Sequence, residues 1–259
     1  MKFWKLQATG NDFVFVNSKP RAGENSTRFV RKLCERHLGI GADGLVYFWQ
    51  DAKGWTWQYC NSDGSTGEFC GNASLCMAKL LKDVFSEKKL AWQSQIGEIE
   101  VQSDSEDSYQ VLFPASKVKE RPIDPTLKEE LYELNDRGLS HLALIDAGVP
   151  HLVLGNHDEW SIQDRITLNM DLRSHPLLGP KGANVSWYSN RNSELITFER
   201  GVDTETLGCG SAALATYLAL GCKKEKSFNF PGGTLQVRHV GSNYLLKGQP
   251  ELVFEGIIS

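Results

Sequence analysis

The chain has 259 residues, enough for two domains with hydrophobic cores of their own. A net charge of -4 and a pI near 5.9 argue against a nucleic-acid-binding protein, and no apolar run is long enough to cross a bilayer. The first residues lack the apolar stretch of a signal peptide, so we expect a cytoplasmic protein with no membrane partner, whose six cysteines are reduced.

The first half of the chain alternates short apolar runs with turn residues, a pattern typical of strands. A turn is predicted over residues 9–12, and a helix between Ser26, a good N-cap residue, and Gly39, which favours a helix end. The strands predicted in this half lie at residues 3–8, 13–16, 45–49, 55–60, 90–93, 96–102 and 110–113.

A boundary is predicted near the middle of the chain. Residues 103–108 read as a charged hairpin tip, and residues 114–125, rich in Lys, Glu and Pro, as a crossover. We therefore expect one domain at residues 1–115, joined by a returning C-terminal strand at 250–259, and a second domain at residues 116–249.

The second half predicts a helix over 126–135 and a loop over 173–183. The strands predicted there lie at residues 142–146, 151–154, 185–188, 195–198 and 252–254. Many short strands with few helices indicate the α+β class rather than alternating α/β.

One stretch of sequence occurs twice. Cys70 begins Cys-Gly-Asn-Ala-Ser-Leu, and Cys209 begins Cys-Gly-Ser-Ala-Ala-Leu. Each Cys comes just before a predicted buried helix, and two predicted strands follow each helix: 97–102 and 111–113 in the first copy, 233–238 and 244–246 in the second. A unit of half the chain used twice predicts two similar lobes that face each other across a cleft.

A cysteine at a helix start has special chemistry. The unpaired N–H groups and the helix dipole lower the pKa of such a thiol, and the same groups bind carboxylates. Two such ends facing each other would hold one carboxylate and place a sulfur on each face of the adjacent carbon. A thiolate would then remove the α-proton while the opposite thiol returns one, inverting the stereocentre. This scheme requires no cofactor and no metal.

Two other interpretations of the pair stay open at this point. Both cysteines could be inert core residues, or they could form a disulfide. Their duplication in a duplicated unit favours the catalytic interpretation. The remaining cysteines are interpreted as small core residues: Cys34, Cys60, Cys76 and Cys222.

At these residues the sequence resembles the diaminopimelate epimerases, a family of cofactor-independent two-cysteine isomerases. The resemblance covers nearly the whole chain. Besides the two Cys-Gly segments it rests on Gly10-Asn11-Asp12-Phe13, residues 39–44 and 61–65, Pro150-His151, residues 182–185, Glu199-Arg200-Gly201-Val202 and residues 205–207.

The resemblance implies two pseudo-symmetric lobes, each a mixed or antiparallel barrel-like sheet around a central helix, with the active site in the cleft between them. It implies Cys70 and Cys209 as the base and acid, and a homodimer that acts in lysine and peptidoglycan precursor synthesis. Backbone groups at Gly71, Asn72, Gly210 and Ser211 are expected to hold the reacting carboxylate. The far end of the substrate is expected at Asn61, Asn184, Glu199 and Arg200, and Asn11 matches a position near the reacting centre. His151 is either a site residue or a hydrogen-bonded structural residue.

The sequence departs from the family pattern at four positions. Ala73 and Ala212 replace glycines at equivalent places in the two copies, and Leu75 replaces an arginine. Val149 replaces an asparagine before Pro150-His151, and a hydrogen bond lost from a charged group costs about 1.5–3 kcal/mol. The alternatives are therefore a racemase or epimerase of another amino acid with the same thiol pair, and a catalytically silent amino-acid-binding protein of the same fold.

Overall fold

The computed structural model consists of two compact units. Residues 1–112 and 247–259 form the first unit, and residues 113–246 form the second. The division into domains expected from the sequence, residues 1–115 with 250–259 and residues 116–249, stays a prediction. The structure describes residues 1–21, 23, 26–104, 107–133, 142–155, 158, 160–180, 182–200 and 204–258.

Strands outnumber helices among the described elements, as expected for the α+β class. The helices are α1 (Thr27–Cys34), α2 (Gly71–Asp83), α3 (Pro125–Glu133), α4 (Ile162–Arg173) and α5 (Gly210–Ala219). The strands are β1 (Lys2–Ala8), β2 (Asn11–Asn17), β3 (Gly44–Asp51), β4 (Gly54–Asn61), β5 (Thr66–Gly67), β6 (Ala91–Ser94), β7 (Gly97–Ser103), β8 (Tyr109–Pro114), β9 (Val118–Arg121), β10 (Leu142–Ala147), β11 (Pro150–Gly155), β12 (Asn184–Tyr188), β13 (Leu195–Phe198), β14 (Lys226–Phe230), β15 (Gly233–Val240), β16 (Asn243–Gly248) and β17 (Pro250–Ile257).

The first unit is a mixed sheet wrapped on one central helix. Its strand order is β8-β7-β6-β4-β3-β2-β1-β17, so the last strand of the chain returns to pair with the first, as predicted. The β1–β2 pair is antiparallel, the β2–β3 pair is parallel across α1, and the β3–β4 pair is antiparallel. Helix α2 packs against β1, β2, β7 and β17.

The second unit repeats this plan. Its five-stranded sheet has the order β13-β12-β11-β10-β9. Here β10–β11 is antiparallel, β11–β12 is parallel across α4, and β12–β13 is antiparallel. Helix α5 packs against β10, β11, β12, β13 and β15. The pseudo-symmetry expected from the repeated Cys-Gly segments is therefore present in the pairing of the strands.

Continuous apolar runs mark the strands that are covered on both faces. Residues 13–16 of β2 and 45–48 of β3 are all buried, which alternation of polar and apolar residues would not allow. Helix α5 is buried from Ala212 through Tyr217, as its all-round apolar sequence predicts, and Gly221 at φ +60° follows its C-cap.

The predicted turn at residues 9–12 is too long. Thr9 and Gly10 have φ values of 51° and 77° and form a two-residue hairpin loop alone. Asn11 therefore lies in strand β2, opposite Ala8, rather than in the turn.

The predicted end of the first helix is also wrong. Helix α1 begins after Ser26, as expected, but it ends at Cys34 rather than near Gly39. The chain turns extended at Glu35, whose carboxylate accepts the N–H of His37. This local bond gives the backbone an alternative to continuing the helix.

Two elements of the second unit escaped prediction. The crossover at 114–125 contains β9, which pairs with β10. Helix α4 had no apolar periodicity to reveal it, because its buried residues are Arg165, Asn169 and Leu172. The helix predicted at 126–135 is present as α3, and the last two predicted residues lie outside the described part of the chain, as do residues 105–106 of the predicted hairpin tip.

Candidate active site

Cys70 and Cys209 occupy the same backbone position in the two units. Cys70 is the N-cap of α2, with φ -143° and ψ 118°, and Cys209 is the N-cap of α5, with φ -141° and ψ 112°. An N-cap side chain lies beside the first N–H groups of the helix, which have no intrahelical acceptor. Cys70 Sγ accepts from the N–H of Ala73 at 3.5 Å, whereas Cys209 Sγ contacts Ser211 Oγ at 3.3 Å.

A small amide cluster adjoins Cys70 in the first unit. Asn72, the second residue of α2, is 1% exposed. Its Nδ2 lies 3.4 Å from both Thr9 Oγ1 and Asn11 Oδ1. Asn11 Nδ2 in turn donates to Asp43 Oδ2 at 2.8 Å. The hairpin loop after β1 and the start of β3 therefore meet at the first turn of α2.

Charged side chains contact Asp43, the last member of this cluster, and the neighbouring Asp12. Lys5, which is 6% exposed, contacts Asp12 Oδ2 at 2.6 Å and also donates to the Gly41 carbonyl. Arg36 donates to both carboxylate oxygens of Asp12, at 2.9 and 3.0 Å, and to Asp43 Oδ1 at 2.7 Å. Two cations thus neutralise two carboxylates beside the amides.

The two carboxylates differ in acidity. Burial would raise the pKa of Asp12, but the hydrogen bonds from Arg36 and Lys5 outweigh it and hold that pKa below its usual value. Burial, and then the nearby charge of Asp12, raise the pKa of Asp43, and the hydrogen bond from Asn11 opposes this rise. The environment therefore favours the ionised form of Asp12 more strongly than that of Asp43.

Asn61 ends β4 and holds the turn that follows. Its Oδ1 accepts from the Tyr59 hydroxyl at 2.7 Å, and its Nδ2 donates to Ser65 Oγ at 2.9 Å. In the sheet it stands opposite Gly44, which in turn pairs with Phe13. The side chain is thus already engaged within the first unit, although an amide group has further capacity for a ligand.

His151 links a serine of strand β12 to a serine in the first turn of α5. Its Nε2 lies 2.9 Å from Ser211 Oγ, and its Nδ1 lies 3.0 Å from Ser186 Oγ. Burial, and then the charge of Arg200, lower the pKa of His151 to about 3, so the imidazole is neutral near pH 7. This places the predicted residue next to the first turn of α5, in contact with Ser211.

The remaining predicted residues of the second unit lie at the ends of neighbouring strands. Asn184 begins β12, opposite His151 in the parallel register, with its Nδ2 3.5 Å from His151 Nε2. Its Oδ1 accepts the backbone N–H of Arg200 at 3.0 Å. Glu199 and Arg200 follow β13, and Arg173 donates to the Glu199 carbonyl. Residues 201–203 of the same motif lie outside the described part of the chain.

Equivalent strand ends therefore carry the predicted polar residues in both units. In the first unit they are the start of β2 and the end of β4, and in the second the starts of β11 and β12 and the end of β13. Asn11 contacts Asn72 in the first turn of α2, and His151 contacts Ser211 in the first turn of α5, so a member of each set lies beside the helix whose N-cap is a cysteine.

The other cysteines have environments of a different kind. Burial raises the pKa of Cys34 to about 12 and raises the pKa of Cys76 well above its usual value. Burial also raises the pKa of Cys60 and Cys222. These thiols stay protonated near neutral pH. Cys34, Cys60 and Cys76 are buried core residues, as predicted, whereas Cys222 is only partly buried, so the prediction of a core residue is wrong there.

Three positions that depart from the family pattern are fully enclosed. Ala73, Ala212 and Leu75 are all 0% exposed. Val149 lies in the β10–β11 turn, where its carbonyl accepts the N–H of Ala147 at 3.0 Å.

Sequence reasoning did not single out Asp43 or Ser186 as individual residues. Asp43 stood in a glycine-rich motif without an assigned role, and Ser186 is one residue of a buried strand. Each contacts its partner, Asn11 or His151, across more than 30 positions of chain, and no local pattern signals such a bond.

No group of three or more His, Cys, Asp or Glu side chains that would hold a metal ion occurs among the residues the structure describes. Of the described helices, none combines the length and apolar composition that spanning a bilayer requires.

Comparisons with known proteins show which family the chain belongs to. A family model of diaminopimelate epimerases matches residues 3–118. The diaminopimelate epimerase of Aquifex aeolicus is 32% identical, over 100% of this chain and 98% of that relative. The diaminopimelate epimerase of Hydrogenobaculum sp. is 30% identical, over 100% of this chain and 99% of the relative.

Solved structures share the fold at low identity. A predicted epimerase from Pseudomonas aeruginosa superposes with a TM-score of 0.72 at 12% identity, over 99% of this chain and 98% of that one. A hydroxyproline epimerase from Agrobacterium vitis, with bound trans-4-hydroxy-L-proline, has a TM-score of 0.67 at 14% identity, over 99% of this chain and 91% of that one. These structures confirm the predicted fold class.

Proposed function

Since the chain belongs to the diaminopimelate epimerase family, we propose that it interconverts LL- and meso-diaminopimelate by moving a proton at the α-carbon between two thiols. The observation that carries this proposal is the pair of N-cap cysteines, Cys70 and Cys209, in a chain that aligns over its full length with diaminopimelate epimerases. The reaction makes the protein an isomerase.

The proposed chemistry needs one base and one acid of the same type. One cysteine, as thiolate, takes the α-proton and becomes a thiol, while the other thiol gives its proton to the opposite face and becomes a thiolate. Total protons and charge are unchanged, and the reverse reaction exchanges the roles. The N–H groups at Gly71, Asn72, Gly210 and Ser211 belong to first helical turns, where no intrahelical acceptor exists, and are suited to the carboxylate, whose charge grows as the α-carbon is deprotonated.

The far end of the substrate also carries a carboxylate and an ammonium group. Arg200 is suited to the carboxylate because a guanidinium donates two parallel hydrogen bonds, and Glu199 is suited to the ammonium. Asn61 and Asn184 supply amide groups that pair with either. Val149 has no such group, so binding at this end relies on the four residues that remain.

The direct test is deuterium incorporation at the α-carbon in D2O, followed by NMR with LL-diaminopimelate and with a panel of L-amino acids. Wild type is expected to epimerise and label diaminopimelate, and Cys70→Ala and Cys209→Ala are expected to lose at least a thousandfold in rate. Cys76→Ala, which removes a fully buried thiol from the same helix as Cys70, is the matched control and should stay active.

Other outcomes of this experiment discriminate between the alternatives. Exchange of another amino acid, with diaminopimelate inert, would keep the two-thiol mechanism and replace the substrate. Activity that survives Cys209→Ala would exclude the two-thiol mechanism. Silence with every substrate, while both thiols are free, would favour an amino-acid-binding protein.

We also propose that the protein works as a homodimer, which the family resemblance supports, and that it works in the cytoplasm. Light scattering after gel filtration tests the first statement, because a dimer has twice the 28.9 kDa of the chain. Cell fractionation tests the second.

A further inference from the structure

One acceptor at the start of α2 lacks a donor. Asn72 is 1% exposed, and within the described part of the chain its Oδ1 has no hydrogen-bond partner. A buried acceptor left unpaired costs about 1–3 kcal/mol of stability. Such an atom therefore indicates that a donor is supplied by a bound ligand. Asn72 lies two residues after Cys70, where the reacting end of the substrate is expected.

The surroundings fix which end of the Asn72 amide is left over. The Thr9 hydroxyl donates to the Ala8 carbonyl at 2.7 Å, so its oxygen is an acceptor towards Asn72. Asn11 turns its Nδ2 to the Asp43 carboxylate, so its Oδ1 is the second acceptor. Two acceptors require the NH₂ end of Asn72 between them, and the oxygen must point the other way.

We propose that Asp43 is a positioning residue which, through Asn11, holds the Asn72 oxygen where it accepts a hydrogen bond from the ammonium group at the reacting carbon. The inference rests on the proposed function, since it needs a substrate with an amine beside the carboxylate held at α2. An amide oxygen only accepts, and an ammonium only donates, so the two groups match. Asp43 therefore sets the orientation of the Asn72 amide without touching the substrate, because Asn11 and Asn72 lie between them.

A neutral amide at position 43 would reverse the chain of orientations. Every group that contacts the Asp43 carboxylate is a donor: Arg36 Nη2 lies 2.7 Å from Oδ1, and Asn11 Nδ2 and the Asp12 N–H lie 2.8 and 3.2 Å from Oδ2. In Asp43→Asn the oxygen stays with Arg36, because a charge-assisted bond is the stronger one. The new NH₂ group then faces Asn11, whose amide flips, and also the Asp12 N–H, which loses its longer bond. Asn72 in turn rotates its own NH₂ group towards the ammonium.

The experiment is a double-mutant cycle on kcat/KM for LL-diaminopimelate. Asp43→Asn is expected to lower kcat/KM at least tenfold. Asn11→Asp supplies a group that accepts from both sides, so in that background Asp43→Asn is expected to cost less than about threefold, whatever Asn11→Asp costs alone. Asp51→Asn, which removes an exposed carboxylate from the same strand region, is the control and should leave kcat/KM unchanged.

Equal penalties for Asp43→Asn in both backgrounds, or no penalty in either, would overturn the inference. Circular dichroism and thermal unfolding check that each variant folds. Asp43→Ala, which has no polar group to offer Asn11, is the second variant, and the same rescue by Asn11→Asp is expected. If wild type turns over another amino acid and not diaminopimelate, the proposed substrate fails, and the cycle is then measured with that amino acid.

Discussion

His151 Nε2 lies 2.9 Å from Ser211 Oγ, so a completely buried imidazole supports the first turn of the helix that Cys209 caps. Its other ring nitrogen contacts Ser186 at 3.0 Å. A neutral imidazole has one donor and one acceptor nitrogen, and each serine hydroxyl takes either role. The hydrogen bonds from Ser186 through His151 to Ser211 therefore form without a charge on the ring.

The first prediction concerns stability in acid. The pKa of His151 is lowered to about 3 in the folded protein, whereas an unfolded histidine titrates near 6.5. Below pH 6.5 the unfolded state binds a proton that the folded state does not, so stability present at neutral pH is lost as pH falls towards 3. We expect a loss of about 1.4 kcal/mol per pH unit in this window.

Urea unfolding between pH 7 and pH 4 measures this loss. His151→Asn is expected to be less stable at pH 7 but to lack the additional slope in acid. His239→Asn, a substitution at an exposed histidine, is the control and should keep the wild-type slope. An unchanged slope in His151→Asn would show that another group causes the acid sensitivity.

The second prediction concerns the contact between Ser211 and Cys209. Ser211 Oγ and Cys209 Sγ are 3.3 Å apart. A hydrogen bond that a hydroxyl donates to a thiolate stabilises the charged form of the cysteine. Ser211→Ala is therefore expected to slow alkylation of Cys209 at pH 7 by about tenfold, because a hydrogen bond to a charged group contributes about 1.5–3 kcal/mol. Ser74→Ala, which alters a helix residue of the other unit, should leave Cys209 reactivity unchanged. Equal rates in wild type and Ser211→Ala would mean that the contact does not favour the thiolate.

The third prediction separates the two reactive thiols from the rest. An aziridine analogue of diaminopimelate should modify Cys70 or Cys209, as peptide mass spectrometry would show. Cys34 and Cys222 should stay unmodified, since burial raises the pKa of both thiols. Iodoacetamide applied in urea, where every cysteine is accessible, is the control for detection. Modification of Cys34 in the folded protein would contradict the assignment.

The sequence predicted those features that depend on local patterns. The N-cap positions of Cys70 and Cys209 followed from a duplicated motif before two apolar helices, and the strands predicted at 13–16 and 45–49 followed from apolar runs. The sequence left His151 as either a site residue or a hydrogen-bonded structural residue, and its contact with Ser211 does not decide between the two.

Features that depend on distant contacts were not predictable. Asp43 acts on Asn11 across a sheet, and Ser186 meets His151 through a parallel strand pair. Such bonds follow from strand register, which the sequence of one strand does not encode. Helix α4 was missed for a related reason, because it buries Arg165 and Asn169 instead of an apolar stripe.

The fourth prediction concerns the buried pair of Arg165 and Glu205. Arg165, 6% exposed, donates to Glu205 Oε1 at 3.0 Å and to the Trp160 carbonyl at 2.8 Å. Glu205 belongs to the segment that leads to Cys209, so the pair anchors that segment. Arg165→Met is expected to lower the free energy of unfolding by about 3 kcal/mol, because it leaves a partly buried carboxylate without its partner.

Urea unfolding of a second variant tests the coupling. Arg165→Met combined with Glu205→Gln should recover part of the lost stability, since no unpaired charge remains. Lys2→Met, which breaks the exposed pair with Glu255, should change stability by less than about 1 kcal/mol. A double variant as unstable as Arg165→Met alone would show that packing, and not the charge pair, is what Arg165 contributes.

The last prediction concerns the two alanines at the third positions of α2 and α5. Ala73 and Ala212 are both 0% exposed, so their methyl groups pack inside the protein. Glycine within a helix lowers protein stability by about 0.5–1 kcal/mol relative to alanine. Each single Ala→Gly variant should therefore have a free energy of unfolding lower by that amount. The KM for diaminopimelate should change less than about twofold, because a buried methyl leaves the substrate unaffected. A KM that falls several-fold in the Ala73→Gly, Ala212→Gly double variant would instead show that the methyl groups crowd the substrate and that these positions help to set specificity.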